Sequence, residues 1–144
     1  LVQVPEESTG KEFTRPVVGR GAAYGDFDGD GDSDVVIAVS GGKPRVFRND
    51  QSLGNHWLRV RLIGTDANRD AIGATAQITI GQRTITRQVM PTRSYLSQCE
   101  PEITFGLGET SDLTEVKVRW PGGQEQVFPV DGVDRTYEFT QGSR

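Results

Sequence analysis

The amino-acid sequence reads as an all-β protein on three grounds. Apolar and polar residues alternate in window after window, as in Leu58, Val60 and Leu62 against Arg59 and Arg61, which is the period of a half-buried strand. Turn residues punctuate those windows, among them Gly41-Gly42-Lys43-Pro44, Gly81-Gln82 and Pro121-Gly122-Gly123. No window sustains the 3.6-residue apolar period of an amphipathic helix. About seven short strands after residue 55 predict two packed antiparallel sheets, a β-sandwich or a flattened barrel.

Taken in order, Leu1 to Arg20 mixes Pro, Gly and charge and reads as an incoming connection anchored by Phe13. Gly21 to Gly25 and the β-branched run Val35 to Val39 read as strands, with a turn and a short strand from Arg45 to Arg48 after them. Asn49 to Asn55, polar with one Gly, reads as a boundary, so the chain divides into residues 1–50 and a sandwich over 55–140. Within the sandwich, Ala74, Ala76, Ile78 and Ile80 share one face of a strand, and a tight turn at Gly81-Gln82 leads into Thr84 to Met90. Ile103, Phe105 and Leu107 share another face, as do Val116, Val118 and Trp120; Gln126 to Val130, then Tyr137 and Phe139, close the series.

Between the first two strands lies Asp26-Phe27-Asp28-Gly29-Asp30-Gly31-Asp32-Ser33-Asp34, with a carboxylate at every second position. Five like charges so close together repel one another, and a merely solvated acidic run needs neither the alternation nor the glycines. Hard divalent cations want six to eight oxygens, and Ca²⁺ accepts the irregular geometry of a short loop. Counting from Asp26 puts Asp28 and Asp30 at positions 3 and 5, Gly31 at the turn, Asp32 where a backbone carbonyl coordinates, and Asp34 at position 9. An EF-hand would place a bidentate Glu at position 12, but Ile37 stands there and a strand comes next instead of a helix. The expected cofactor is therefore Ca²⁺, held in a hairpin loop.

Arg20-Gly21-Ala22-Ala23-Tyr24-Gly25, the loop Asp26 to Asp34 and Val35-Val36 together resemble an FG-GAP (VCBS, integrin-like) repeat. The resemblance implies a propeller-blade-like calcium hairpin, with Asp26, Asp28, Asp30 and Asp34 as side-chain ligands and Asp32 ligating through its carbonyl. One blade cannot close a ring, so self-association through its unpaired edges is a further expectation. A piece this small should either lean on the sandwich or pair with another chain.

The second region carries Asn55-His56-Trp57-Leu58, Asn68-Arg69 with Ala71-Ile72-Gly73-Ala74, Ser94-Tyr95-Leu96-Ser97-Gln98, Phe105-Gly106-Leu107-Gly108, and Trp120-Pro121 with Gly123, in that order over Asn55 to Val130. Together these motifs resemble the ASPIC/UnbV domain. Such domains typically follow integrin-like repeats at the carboxyl end of secreted or surface proteins. The resemblance implies architecture and an extracellular, periplasmic or cell-surface location, and brings no settled biochemical activity.

Charge and composition narrow the partners. Of the net charge of −4 at pH 7, the five loop aspartates account for more than all, leaving +1 elsewhere. Lys and Arg are scattered without forming a basic run, which argues against nucleic acid. No stretch approaches the roughly 20 apolar residues of a membrane span, so a soluble piece with no membrane insertion is expected. The chain begins at Leu1 without a signal sequence, as a fragment of something longer would. Cys99 is the single cysteine, excluding an intrachain disulfide, and reads as a small apolar side chain. His56 is the single histidine; a structural role at a strand start is expected of it, and no catalytic set is evident. Glu100, Glu102 and Glu109 read as residues of solvated turns, and Trp120 as core.

A ligand surface is expected where two polar loops occur. Asn68 and Arg69 lie in Thr65 to Asp70, long for a hairpin turn, and Ser94, Tyr95, Ser97 and Gln98 lie in another stretch poor in apolar residues. Arg69 offers a planar donor fork and Tyr95 a ring with a polar tip. The sequence thus predicts a non-enzymatic, calcium-stabilised extracellular adhesion or ligand-binding module with a protein or glycan partner at the cell surface or matrix. The alternative is a carbohydrate-binding module or an accessory domain of an enzyme.

Overall fold

A computed structural model describes residues 6–50, 53–66 and 68–143. Gln51 and Ser52, inside the expected boundary, and the first five residues of the expected connection lie outside the described residues. Two single helical turns, α1 (Glu6–Thr9) and α2 (Lys11–Thr14), stand where the sequence reads as a connection. The second of these turns is anchored further along the chain. The Phe13 ring meets Phe47 edge-on at 5.1 Å, and the Arg45 guanidinium donates to the carbonyls of Glu12 and Arg15 at 2.8 and 2.9 Å.

Three strands then form a small antiparallel sheet: β1 (Gly19–Gly25), β2 (Asp34–Val39) and β3 (Arg45–Phe47), in that order. Gly25 pairs with Asp34, so the acidic stretch is the loop closing the β1–β2 hairpin. Its turns rest on backbone that only glycine adopts easily: Gly29 has φ 81° and Gly31 φ 95°.

The remaining strands are β4 (His56–Ile63), β5 (Thr75–Ile80), β6 (Arg83–Gln88), β7 (Ile103–Gly108), β8 (Glu115–Arg119), β9 (Glu125–Pro129) and β10 (Arg135–Thr140). They make two sheets, ordered β10-β4-β7 and β6-β5-β8-β9. Alternation decides which side chains face inward. Leu58, Val60 and Leu62 of β4, Ile103, Phe105 and Leu107 of β7, Ala76 and Ile78 of β5, and Val116 and Val118 of β8 all enter one core. Phe128 stacks on Phe139 at 4.4 Å and meets Trp120 edge-on at 6.5 Å, which joins the two sheets. Each of the buried Val, Leu, Ile and Phe side chains contributes roughly 1.5–3 kcal/mol on leaving water, so the sandwich carries most of the fold's apolar stabilisation. Cys99 is also buried. Among the described residues, no helix is long and apolar enough to cross a membrane.

One pairing departs from the expected antiparallel sheets. β10 runs parallel to β4, with Arg135 opposite Leu58 and Thr140 opposite Ile63. The cause lies at the start of both strands, where Asp134, at φ 57°, donates its N–H to the Trp57 carbonyl at 2.7 Å. Its carboxylate takes the Trp57 N–H at 3.0 Å and the His56 ring at 2.7 Å. The chain therefore crosses from β9 to the opposite sheet and enters β10 at the end where β4 begins. Parallel strands require this kind of crossover, whereas a short hairpin would have reversed the direction.

The small sheet leans on the sandwich, as a piece with too few strands must. Gly31 lies so close to the Trp57 indole that a Cβ there would collide with the ring, and Gly21 lies as close to Tyr95 and Ser97. The Glu100 N–H reaches the Tyr24 carbonyl at 3.4 Å.

Candidate functional site

The β1–β2 hairpin brings Asp26, Asp28 and Asp34 together, with one oxygen from each within 4.8 Å of the others. Asp34 is 1% exposed. Its Oδ2 accepts the Phe27 N–H and its Oδ1 the Asn49 N–H, both at 2.8 Å, so it staples the loop to the chain leaving β3. Those two backbone donors, first Asn49 and then Phe27, hold its carboxyl below the ordinary 3.8 against the opposing effect of burial. Asp26 accepts the Gly29 N–H at 2.7 Å and the Gly31 N–H at 3.0 Å. Asp28 is exposed, and its carboxylate sits 3.7 Å from Arg48.

Asp30 and Asp32 are placed differently. The Asp30 carboxylate turns back to accept the Asp32 N–H at 2.9 Å, and neither residue belongs to the converging trio among the described residues. Burial, and then the charges of Asp30, Asp26, Asp34 and Asp28 in that order, push the Asp32 carboxyl above its usual 3.8. The donor set is all oxygen, which fits Ca²⁺ or Mg²⁺ and not a thiophilic metal.

Beneath the loop lies a cation that the strand pattern hides. Arg59 of β4, 7% exposed, points away from the core into the junction, where its guanidinium bonds Asp26 through Nη1 and Glu100 through Nη2. The same Glu100 accepts the Asp26 N–H at 3.1 Å. Arg59 Nε is buried without a hydrogen-bond partner among the described residues. Glu100 is thus half of a junction, not a residue of a solvated turn. Alternation alone assigns Arg59 to solvent. The signal that could have found it is the excess of carboxylates in the loop, which calls for an internal counter-charge.

The expected ligand residues fall in two places. Asn68 shapes its own turn: Oδ1 accepts the Ile72 N–H at 2.6 Å and Nδ2 donates to the Ile72 carbonyl at 3.0 Å. Arg69 is exposed, and its carbonyl accepts the Gly64 N–H. This loop leans on the end of β10, where the Gln141 side chain accepts the Thr65 N–H. Ser94 bridges to Ser97 around an exposed tip formed by Tyr95 and by Leu96, the latter at φ 49°. Gln98 is exposed, and this second loop lies over Gly21 of β1. No hydrogen bond or ion pair among the described residues joins the two loops.

An acidic hairpin pinned by an arginine to a seven-stranded sandwich places the molecule among two-part, all-β modules built from loops on a rigid scaffold. The chain belongs to the family described as ASPIC and UnbV, which it matches over residues 64–144. That match takes in every strand from β5 to β10. The chain is also similar to cartilage acidic protein 1 of Xenopus tropicalis, Homo sapiens and Mus musculus, at 34% identity over 110 residues in each case. The alignment covers 74% of this chain but 17% of the frog and mouse proteins and 16% of the human one.

Proposed function

We propose that the chain is a calcium-stabilised, non-catalytic module of an extracellular or cell-surface protein, serving adhesion or ligand binding. The observation that carries this reading is the convergence of Asp26, Asp28 and Asp34 at the closed end of a hairpin. Three carboxylates this close repel one another in a folded chain, and a hard divalent cation converts that repulsion into a cross-link. Asp26, Asp28 and Asp34 would hold it, with Asp30 and the Asp32 carbonyl adjoining. When bound, the ion would offset two of the loop's five negative charges, while Asp34 and Arg59 hold the loop itself in place. On this reading the small sheet is an integrin-like blade whose neighbours lie elsewhere in a longer protein.

The engagement of His56 by Asp134 at 2.7 Å, on a carboxylate that also takes the Trp57 N–H, supports a structural role for the histidine at the start of β4. Relatives named for cartilage, a tissue rich in extracellular matrix, support the location. Calorimetric titration with Ca²⁺ tests the proposal. A single saturable site with an affinity on the order of 10⁻⁵ M, against much weaker binding of the reluctantly dehydrated Mg²⁺, is expected. Absence of any saturable Ca²⁺ heat would sink it.

A further inference from the structure

Between the small sheet and the sandwich lies a cavity of about 230 Å³, with Tyr24 of β1 on one side and the ends of β6 and β7 on the other. Arg87 and Arg93 line it, and neither has an ion pair among the described residues. Two carboxylates line it as well: Glu100 is bonded to Arg59, which also holds Asp26, and Glu102 lies 3.9 Å from Arg61, which also faces Glu138. The lining thus carries both signs, and its two guanidiniums are left to pair with a ligand. A guanidinium fork matches a carboxylate in shape, which makes an acid group its natural occupant.

The rest of the lining restricts which acid. Thr104 and Tyr24 bring hydroxyls that donate and accept hydrogen bonds, and Gln88, whose Nε2 donates to the Gly73 carbonyl at 3.3 Å, brings an amide oxygen that accepts. Glu100 and Glu102 accept from hydroxyls but repel a second anion, which disfavours sulfated or polyacidic ligands. The Tyr24 ring, 38% exposed, offers a flat apolar face beside them. The volume lies below the range of drug-sized pockets and suits one ring, not a chain.

We propose that this cavity binds a hexuronate unit of a glycan, its carboxylate held by Arg87 and Arg93 and its hydroxyls by Glu102, Gln88 and Thr104. This rests on the ligand-binding reading above and names the ligand class for it.

The test is titration of the whole chain with D-glucuronate, with glucose and acetate as controls, read by ligand-observed NMR or calorimetry. Saturable glucuronate binding is expected, with glucose and acetate each far weaker because one lacks the carboxylate and the other the hydroxyls. Arg87→Gln and Arg93→Gln should each weaken binding about tenfold or more, and Arg87→Lys, which keeps the charge but loses the fork, should fall between. Both arginines are exposed, so the variants should melt as the wild type does. Three results overturn the inference: no saturation by glucuronate, equal binding of acetate, or variants that bind as the wild type does. An acidic peptide that binds in place of glucuronate overturns it too, and assigns the cavity to a protein partner. Ca²⁺-dependent melting measured on the same samples separates the two readings: melting that responds to Ca²⁺ without glucuronate binding removes this inference alone.

Discussion

Replacing Arg59 by Met removes the charge at the junction while keeping a side chain of similar length, so the loss reports electrostatics more than a cavity. The Arg59 and Asp26 side chains are 8% and 1% exposed, and that of Glu100 is 18% exposed. Removing one partner of a buried pair leaves an uncompensated charge, at a cost of about 3–5 kcal/mol. Glu100 keeps some water, which places the expectation near the lower end, about 3 kcal/mol. For a chain of this length each kcal/mol moves the melting temperature by roughly 2–4 °C, so a fall of about 10 °C is predicted. The assay is thermal unfolding by far-UV circular dichroism, with chelator and with Ca²⁺. Calcium should recover part of the loss, because a bound cation takes over as counter-charge to Asp26. Combining Arg59→Met with Asp26→Asn should cost less than the two single changes added together. A loss under about 1 kcal/mol, with additive double variants, would make the pair equivalent to a surface salt bridge and deny it any special role at the junction.

The same junction and the sandwich set three further expectations. Gly31→Ala puts a Cβ into the Trp57 ring at a backbone φ of 95°; it should destabilise by more than about 1 kcal/mol, and an unchanged denaturation midpoint would contradict the docking. The Asp134 carboxyl is held below its ordinary 3.8 by the Trp57 N–H and then by His56. Its contribution is thus in place above that pH and is lost as pH falls through the lower folded value. Melting temperature should therefore drop more steeply in acid for the wild type than for Asp134→Asn, and parallel curves would show that this carboxylate carries no acid-sensitive stability. Phe105→Ala empties a position that is 0% exposed and should cost about 3–5 kcal/mol in chemical denaturation; less than about 1 kcal/mol would mean that the core is not packed as described.

Much of the sandwich is legible in the sequence because a strand with one buried face writes its orientation there. Leu58, Val60 and Leu62 on β4, and Val116 and Val118 on β8, show the period of two and are buried as it requires. Turns are legible where glycine chemistry demands them: Ile80 pairs with Arg83 across Gly81-Gln82, and the Trp120 N–H reaches Gln124 across Pro121-Gly122-Gly123. Alternation tells which face is buried but not which strand lies alongside, and so the parallel β4–β10 pair is not legible. Nor does it show that a second unit covers an outer face. Arg59 sits in an ordinary polar position of its strand and is buried only because the acidic hairpin docks there. Asn68 illustrates the opposite limit. A polar residue in a long loop reads as a ligand candidate, yet both ends of its amide close onto Ile72.

Whether a cation in the acidic loop stabilises the fold is tested most cleanly by Asp28→Ala. Asp34→Ala would also strip acceptors from the Phe27 and Asn49 N–H groups, whereas the one charged partner shown for Asp28 is Arg48 at 3.7 Å. With an affinity near 10⁻⁵ M, millimolar Ca²⁺ should stabilise the wild type by roughly 2.7 kcal/mol, raising its melting temperature by several degrees over the chelated sample. Asp28→Ala should melt close to the wild type in chelator and lose most of the calcium increment. A wild-type melting temperature that is the same with Ca²⁺ and with chelator would mean that no such cation stabilises the fold.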